Sequence, residues 1–377
     1  MPKEVHYQEK MIWENISTIN KMKKRQLTYT EAIKEATEQI MSKDKSVFII
    51  GEGVPDPKGV FGTTIGLQKK FGKDRVMDMP LSENGLTGFC IGAAMSGLRP
   101  IMTHQRIDFT LLSLDQIINN AAKMSYMFGG NFSVPLVIRM VIGRGWGQGA
   151  QHSQNLQAIF SHIPGLKVVM PSNAYDAKGL LISAVKDNNP VMFIEHRWLH
   201  NLSDFVPENI YEVPIGKSKI IRSGIDLTIV ATSYMNVEAI KTHDYLKKIG
   251  ISVEVIDVRS LKPFDDETII KSVKKTGHLL VLDSGYYSGG FAGEVIARIS
   301  EKAYNFLKSA PQRLTLPDLP TPTSKGLTKY YYPQTVDVVK KSLSILNKKN
   351  SQLIKSIEKE MKKRFLDVPD KSFTGPF

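Results

Sequence analysis

The hydrophobic pattern changes period along the chain, and the changes mark elements. Thr28 followed by Glu31 has the form of a capping box, in which each side chain takes one backbone N–H left open at a helix start. Ala32, Ala36 and Ile40 then recur every four residues, the spacing of one helix face. Short apolar runs follow at 47–50, 134–138, 166–170 and 191–194, with helix-like stretches such as 113–124 and 174–185 between them. Apolar strands alternating with helices predict a parallel sheet covered on both faces. Residues 201–224 are mixed and turn-rich and read as a linker. Alternation resumes with strands at 227–231, 252–256 and 279–282 and helices at 236–248, 266–274 and 293–307. Beyond it, Leu353, Ile354, Ile357, Met361 and Phe365 outline an amphipathic helix with a basic outer face. The expected organisation is an extension (1–27), a doubly wound α/β domain (28–200), the linker, a second doubly wound α/β domain (225–346) and a basic tail (347–377).

Composition narrows this picture without changing it. A chain of 377 residues that is 42% hydrophobic and 23% charged is globular, not disordered. Its single cysteine, Cys90, excludes an intramolecular disulfide and a cysteine-built zinc site. No apolar run reaches the ~18 residues of a membrane span. The acidic residues Glu4, Glu9 and Glu14 argue against a targeting peptide, so the cytoplasm is the expected compartment. The formal net charge of +13 raises the question of a polyanionic partner. However, residues 1–27 carry +3 and residues 347–377 carry +4, which leaves the middle too dilute for a nucleic-acid stripe.

Three motifs invite chemistry. The stretch Gly143-Arg144-Gly145-Trp146-Gly147-Gln148-Gly149 follows a predicted strand, but Gln148 breaks the dinucleotide-loop spacing. It reads as a flexible loop beside a site. Gln151-His152-Ser153-Gln154 comes next, where ligands bind at the carboxyl ends of strands in open α/β sheets. Glu83 opens a small-residue helical stretch, and by spacing alone it is a cap.

Longer ordered segments carry a resemblance. They include Gly92-Ala93-Ala94-Met95-Ser96-Gly97-Leu98-Arg99-Pro100, Ala150-Gln151-His152-Ser153-Gln154, His162-Ile163-Pro164-Gly165-Leu166-Lys167-Val168-Val169 and Val255-Ile256-Asp257-Val258-Arg259-Ser260-Leu261. From 28 to 346 the chain resembles the beta subunit of thiamine-diphosphate-dependent 2-oxo acid dehydrogenases of the pyruvate and branched-chain type, in the transketolase-like superfamily. The resemblance implies a pyrimidine-binding domain followed by a transketolase C-terminal-like domain. It implies an alpha subunit that holds the pyrophosphate and magnesium through a Gly-Asp-Gly motif, in an α2β2 assembly. This chain contains no Gly-Asp dipeptide.

By the same resemblance, Glu83 is the cofactor-activating glutamate and His152 the active-site histidine. Phe109 is the aromatic residue that stacks on the aminopyrimidine, with Leu81 and Gln105 beside that ring. Leu136, Ala184, Val185, Asp187 and Asn189 match positions around a structural potassium ion.

The sequence also departs from the family. Thr103-His104-Gln105-Arg106-Ile107-Asp108 replaces an acidic and then mostly apolar stretch. The 143–149 loop and His196-Arg197-Trp198-Leu199-His200 are likewise unusual. Polar and basic groups there favour a hydroxylated or anionic substrate, with His104, Arg106 and Arg144 as candidates to touch it. A lipoyl-coupled dehydrogenase, partnered by a lipoyl acyltransferase, and a carboligase acting on a sugar-like acceptor both remain open. So does a scaffolding subunit with the fold only, against which the joint presence of Glu83, Phe109 and His152 argues.

Overall fold

The computed structural model describes residues 25–145 and 147–361. The first helix, α1 (Tyr29–Lys43), begins at the expected capping box: Thr28 Oγ1 accepts from the Glu31 N–H at 3.2 Å, and Glu31 accepts from the Thr28 N–H at 2.8 Å. Its buried face (Ala32, Ile33, Ala36, Ile40) packs in one cluster with Ala177, Leu180 and Leu181 of α7 (Ala174–Lys186).

The first sheet has seven strands. They are β2 (Val47–Gly51), β3 (Val76–Met77), β4 (Arg99–His104), β5 (Val137–Ile142), β6 (Lys167–Val169), β7 (Val191–His196) and β12 (Ser260–Lys262), in the order β12-β6-β7-β5-β4-β2-β3. All neighbours are parallel except β12, which lies antiparallel on β6. The second sheet contains β9 (Lys219–Arg222), β10 (Leu227–Ala231), β11 (Val253–Asp257), β13 (Leu279–Tyr286) and β14 (Gln312–Leu316), in the order β14-β13-β10-β11-β9. Its members are parallel except the edge strand β9. The two α/β units of the sequence reading are therefore both present.

The differences have physical causes. The strand expected at 134–138 starts at Val137, because Pro135 has no N–H to give to a ladder. The helix expected over 113–124 is broken into a 3₁₀ turn (Leu111–Ser113), a π turn (Gln116–Ala121) and α5 (Met124–Met127). Residues 201–224 form more than a spacer: β8 (Ser203–Phe205) pairs with β1 (Gln26–Thr28), and β9 edges the second sheet. The two units also share one apolar core, in which Met140, Phe160 and Val168 cluster with Val230, Ile256 and Val281. The final helix, α13 (Ser351–Met361), buries Ile357 against the second unit. The expected continuation of that helix to Phe365 lies outside the described residues.

Candidate active site

Three stretches of the first unit converge on one cleft: the loop after β2, the turn after β4, and residues 148–152 after β5. The cleft holds roughly 720 Å³ and is lined by Gln105, Arg106, Phe109, Gln148 and His152, joined by Glu52, Lys58, Phe61 and Arg197. It lies at the carboxyl ends of the parallel strands, as expected for an open α/β sheet.

Phe109 belongs to α4 (Ile107–Thr110) and is half-buried. Its ring meets that of His152 edge-on, with centroids 5.4 Å apart and planes at 86°. Gln105 is exposed, and its Nε2 donates to the Glu52 carbonyl at 3.3 Å. Glu83 is the first residue of α3 (Glu83–Met95) and is 7% exposed. Its backbone carbonyl accepts from Thr87 Oγ1 at 2.7 Å. Among the described residues no donor hydrogen-bonds its carboxylate. Burial pushes the Glu52 carboxyl up, and the charges of Glu83 and Asp78 push it further, so these carboxylates lie within electrostatic reach of one another. Leu81 stands almost fully in the open, at 83% exposure.

Two of the residues expected to touch substrate lie outside the cleft lining: His104 is buried with its Nε2 unpartnered, and Arg144 is tied to backbone carbonyls. His104 is 3% exposed at the end of β4, and burial lowers its pKa to about 4, so it is a neutral ring inside the fold. Arg144 is fully buried. Its Nε donates to the Gln148 carbonyl at 2.8 Å, its guanidinium also reaches the Thr323 carbonyl, and its own carbonyl accepts from Trp198 Nε1 at 2.7 Å. It pins the glycine-rich loop to the second unit. Arg106 alone of the three lines the cleft.

The residues matched to a potassium site already have partners. Arg99 Nη1 donates to the Val185 and Asp187 carbonyls at 2.9 and 3.1 Å, and Lys167 pairs with the Asp187 carboxylate. The Asn189 N–H donates to Asp187 Oδ1 at 2.9 Å, and the Leu136 and Ala184 carbonyls accept from Val191 and Asp187 N–H groups. The Arg99 guanidinium thus already sits on two of these carbonyls. A potassium ion added beside it would meet like charge, so these residues fit the ion poorly.

Sequence reasoning missed Glu52, Lys58, Phe61 and Arg197. Arg197 lay within a stretch singled out as unusual, whereas the other three carry no spacing signal. Several buried polar atoms around the cleft lack protein partners, among them Thr103 Oγ1, Asp108 Oδ2, Thr110 Oγ1 and Glu52 Oε1.

Comparison with known proteins agrees with the two-unit reading. The transketolase pyrimidine-binding domain matches residues 25–201, and the transketolase C-terminal domain matches residues 216–338. The acetoin:2,6-dichlorophenolindophenol oxidoreductase subunit beta of Cupriavidus necator is 43% identical over 324 residues, covering 83% of this chain and 96% of that one. The pyruvate dehydrogenase E1 component subunit beta of Gracilaria tenuistipitata var. liui is 43% identical over 315 residues, covering 83% and 98%. Among solved structures, a split-gene transketolase described as an inactive beta4 tetramer superposes with a TM-score of 0.71 at 21% identity, over 86% of this chain and all of that one. That likeness concerns the fold. The chain belongs to the transketolase-like family of thiamine-diphosphate-dependent 2-oxo acid dehydrogenase E1 beta subunits.

Proposed function

We propose that this chain is the half of a heteromeric enzyme that activates thiamine diphosphate and receives a 2-oxo acid. The observation that carries the reading is Glu83, 7% exposed at a helix start, whose carboxylate takes no donor from the described residues and lies within electrostatic reach of Glu52 in the cleft that holds Phe109 and His152. A carboxyl with no protein donor is open to a hydrogen bond from a ligand. The aminopyrimidine of thiamine diphosphate fits: the Glu83 carboxyl would share a proton with a ring nitrogen, and the Phe109 ring would offer a face for stacking. When bound, the cofactor supplies the electron sink that 2-oxo acid decarboxylation needs. His152, at the rim and in contact with Phe109, is placed to hydrogen-bond an incoming carbonyl or carboxyl group.

The remainder of the site belongs to a partner. With no Gly-Asp dipeptide, this chain is assigned the pyrimidine half, and the pyrophosphate with its magnesium goes to an alpha subunit, in an α2β2 complex. Leu81 at 83% exposure, with Tyr126 and Met127 on α5, is apolar surface that such a subunit would cover. The compartment proposed is the cytoplasm. No helix among the described residues is long and apolar enough to cross a membrane.

The test is Glu83→Gln in the complex with its alpha partner. Carbon dioxide release from a panel of 2-oxo acids should fall by about 10²–10⁴-fold, the usual worth of a proton-transferring group. The complex should elute unchanged on gel filtration. Undiminished release would overturn the reading.

A further inference from the structure

The 143–149 loop holds Gln148 by almost every polar atom it has. Its N–H donates to the Gly145 carbonyl at 3.2 Å, and its own carbonyl accepts from Arg144 Nε at 2.8 Å. Its side-chain oxygen, Oε1, accepts from the Gly145 N–H at 2.9 Å and from Arg106 Nη2. A guanidinium and a backbone N–H can only donate, so these two neighbours fix which end of the Gln148 amide is the oxygen. The other end, Nε2 with its two hydrogens, meets no acceptor among the described residues. Gln148 is half-buried and lines the cleft, so a donor is held ready at the cleft wall.

Other glutamines nearby spend that end on the protein. Gln105 Nε2 donates to the Glu52 carbonyl at 3.3 Å, Gln154 Nε2 to Asp108 Oδ1 at 2.8 Å and Gln157 Nε2 to Asp283 Oδ1 at 2.9 Å. The fastening of Gln148 also has an anchor outside the loop. Arg144, which holds its carbonyl, reaches the Thr323 carbonyl of the second unit. Gly149 passes so close to Thr323 that a Cβ there would stand 2.2 Å from the threonine hydroxyl oxygen. A side chain fixed at this many points loses little freedom when it donates, and a preorganised donor discriminates well. His152 belongs to the same turn: its N–H donates to the Gly149 carbonyl at 3.2 Å, and it lines the same cleft.

We propose that Gln148 is a specificity-determining residue whose Nε2 donates to an oxygen on the substrate carbon next to the reacting carbonyl. The inference rests on the function proposed above, which puts that carbonyl at His152. One turn of loop separates the two side chains, so they serve neighbouring atoms. The inference gives the function a substrate class: 2-oxo acids oxygenated at the adjacent carbon. A methyl or methylene group in that place would displace water from Nε2 and leave its hydrogens unpaired, a cost that only the wrong substrate bears.

The test uses the complex with its alpha partner, loaded with thiamine diphosphate, and two pairs of 2-oxo acids matched in shape. Hydroxypyruvate and 2-oxobutyrate differ by a hydroxyl against a methyl. Methoxypyruvate and 2-oxopentanoate differ by an ether oxygen against a methylene. Carbon dioxide release should favour the oxygenated member of each pair in kcat/KM by about 10-fold or more. Gln148→Leu should bring both ratios close to one. Gln148→Glu keeps the two hydrogen bonds accepted at Oε1, so the loop stays fastened, but sets an acceptor where the donor stood. It should keep the preference for hydroxypyruvate, whose hydroxyl can turn and donate, and lose that for methoxypyruvate, whose oxygen can only accept. If Gln148 merely holds the loop, the Glu variant shows the parent ratios on both pairs, and that result would overturn the inference. So would ratios near one in the unmodified complex, or an equal loss for both members of each pair in Gln148→Leu. Calorimetric binding of the unreactive analogues glycerate and 2-hydroxybutyrate separates the inference from the function beneath it. A preference for glycerate that Gln148→Leu removes, in a complex that releases no carbon dioxide from any 2-oxo acid, would overturn the proposed function and leave the role of Gln148 standing.

Discussion

The two sheets present the same edge to different ends. In both, parallel strands finish with polar residues at their carboxyl ends. In the first unit, that edge opens into the cleft. In the second unit, it is pressed against the first unit, and its acids take hydrogen bonds across the seam. Asp257, at the end of β11, accepts from Asn236 Nδ2 at 2.9 Å and from the Ser172 hydroxyl across the seam. Asp283 of β13 accepts from Thr232 Oγ1 at 2.7 Å and from Gln157 Nε2 at 2.9 Å. Just past β11, Arg259 reaches Asp176 on α7 and the Lys217 carbonyl. One topological position thus yields an open cleft in one unit and a joint cross-linked by hydrogen bonds in the other. The difference lies in what faces the edge.

The comparison can be broken most forcefully at the joint. Arg259→Met removes the charge partner of the buried Asp176 carboxylate and leaves it the hydrogen bond from Asn173 Nδ2 at 2.7 Å. It should cost about 3–5 kcal/mol in urea unfolding, the usual penalty for removing one member of a buried pair. A loss no larger than that of an average surface substitution would show that the seam is not held there.

A smaller effect separates the cleft edge by pH. Burial lowers His104 to about 4 and His196 to about 3 from an ordinary value near 6.5. Below pH 6.5 the unfolded chain takes up protons that the folded one refuses, so stability falls as pH drops from 6.5 toward 4. Each histidine should account for roughly 2 kcal/mol by pH 5. His104→Phe should flatten the slope of urea midpoints by its share. A profile already flat between pH 7 and 5 in the unmodified protein would contradict the neutral, buried assignment.

The smallest expected effect is none. A potassium ion at 100 times its dissociation constant would add about 2.7 kcal/mol. With Arg99 on the Val185 and Asp187 carbonyls, exchanging potassium for sodium should leave the melting temperature unchanged. A potassium-specific rise would show that the carbonyls accept both charges.

Much of the fold was legible because periodicity reports burial, and burial of apolar runs is most of what makes a doubly wound sheet. The capping box at Thr28 and the core strands of both units are examples. The strand that matters most to the site was not. β4 is central and buried, but Arg99, Pro100, Thr103 and His104 hide its apolar character. Its polar end is polar because the cleft begins there. Glu83 illustrates the limit for chemistry: spacing makes it a helix cap, and only the family resemblance assigned it a task. Arg106 and Arg144 could not be told apart in the sequence. What separates them is Thr323, 179 positions from Arg144, whose carbonyl takes one guanidinium out of circulation. Sequence neighbours do not carry that information.

β12 has a further consequence. It belongs to the second half of the chain, yet it caps β6 at the edge of the first sheet. Without it, the N–H and C=O groups along β6 would form an open ladder, able to recruit a strand from any neighbouring chain. The second half therefore acts toward the first as a built-in chaperone. On a ribosome, the amino-terminal sheet stays adhesive until residues 260–262 have emerged. The hazard period in the life of this protein is the interval of synthesis between its two halves.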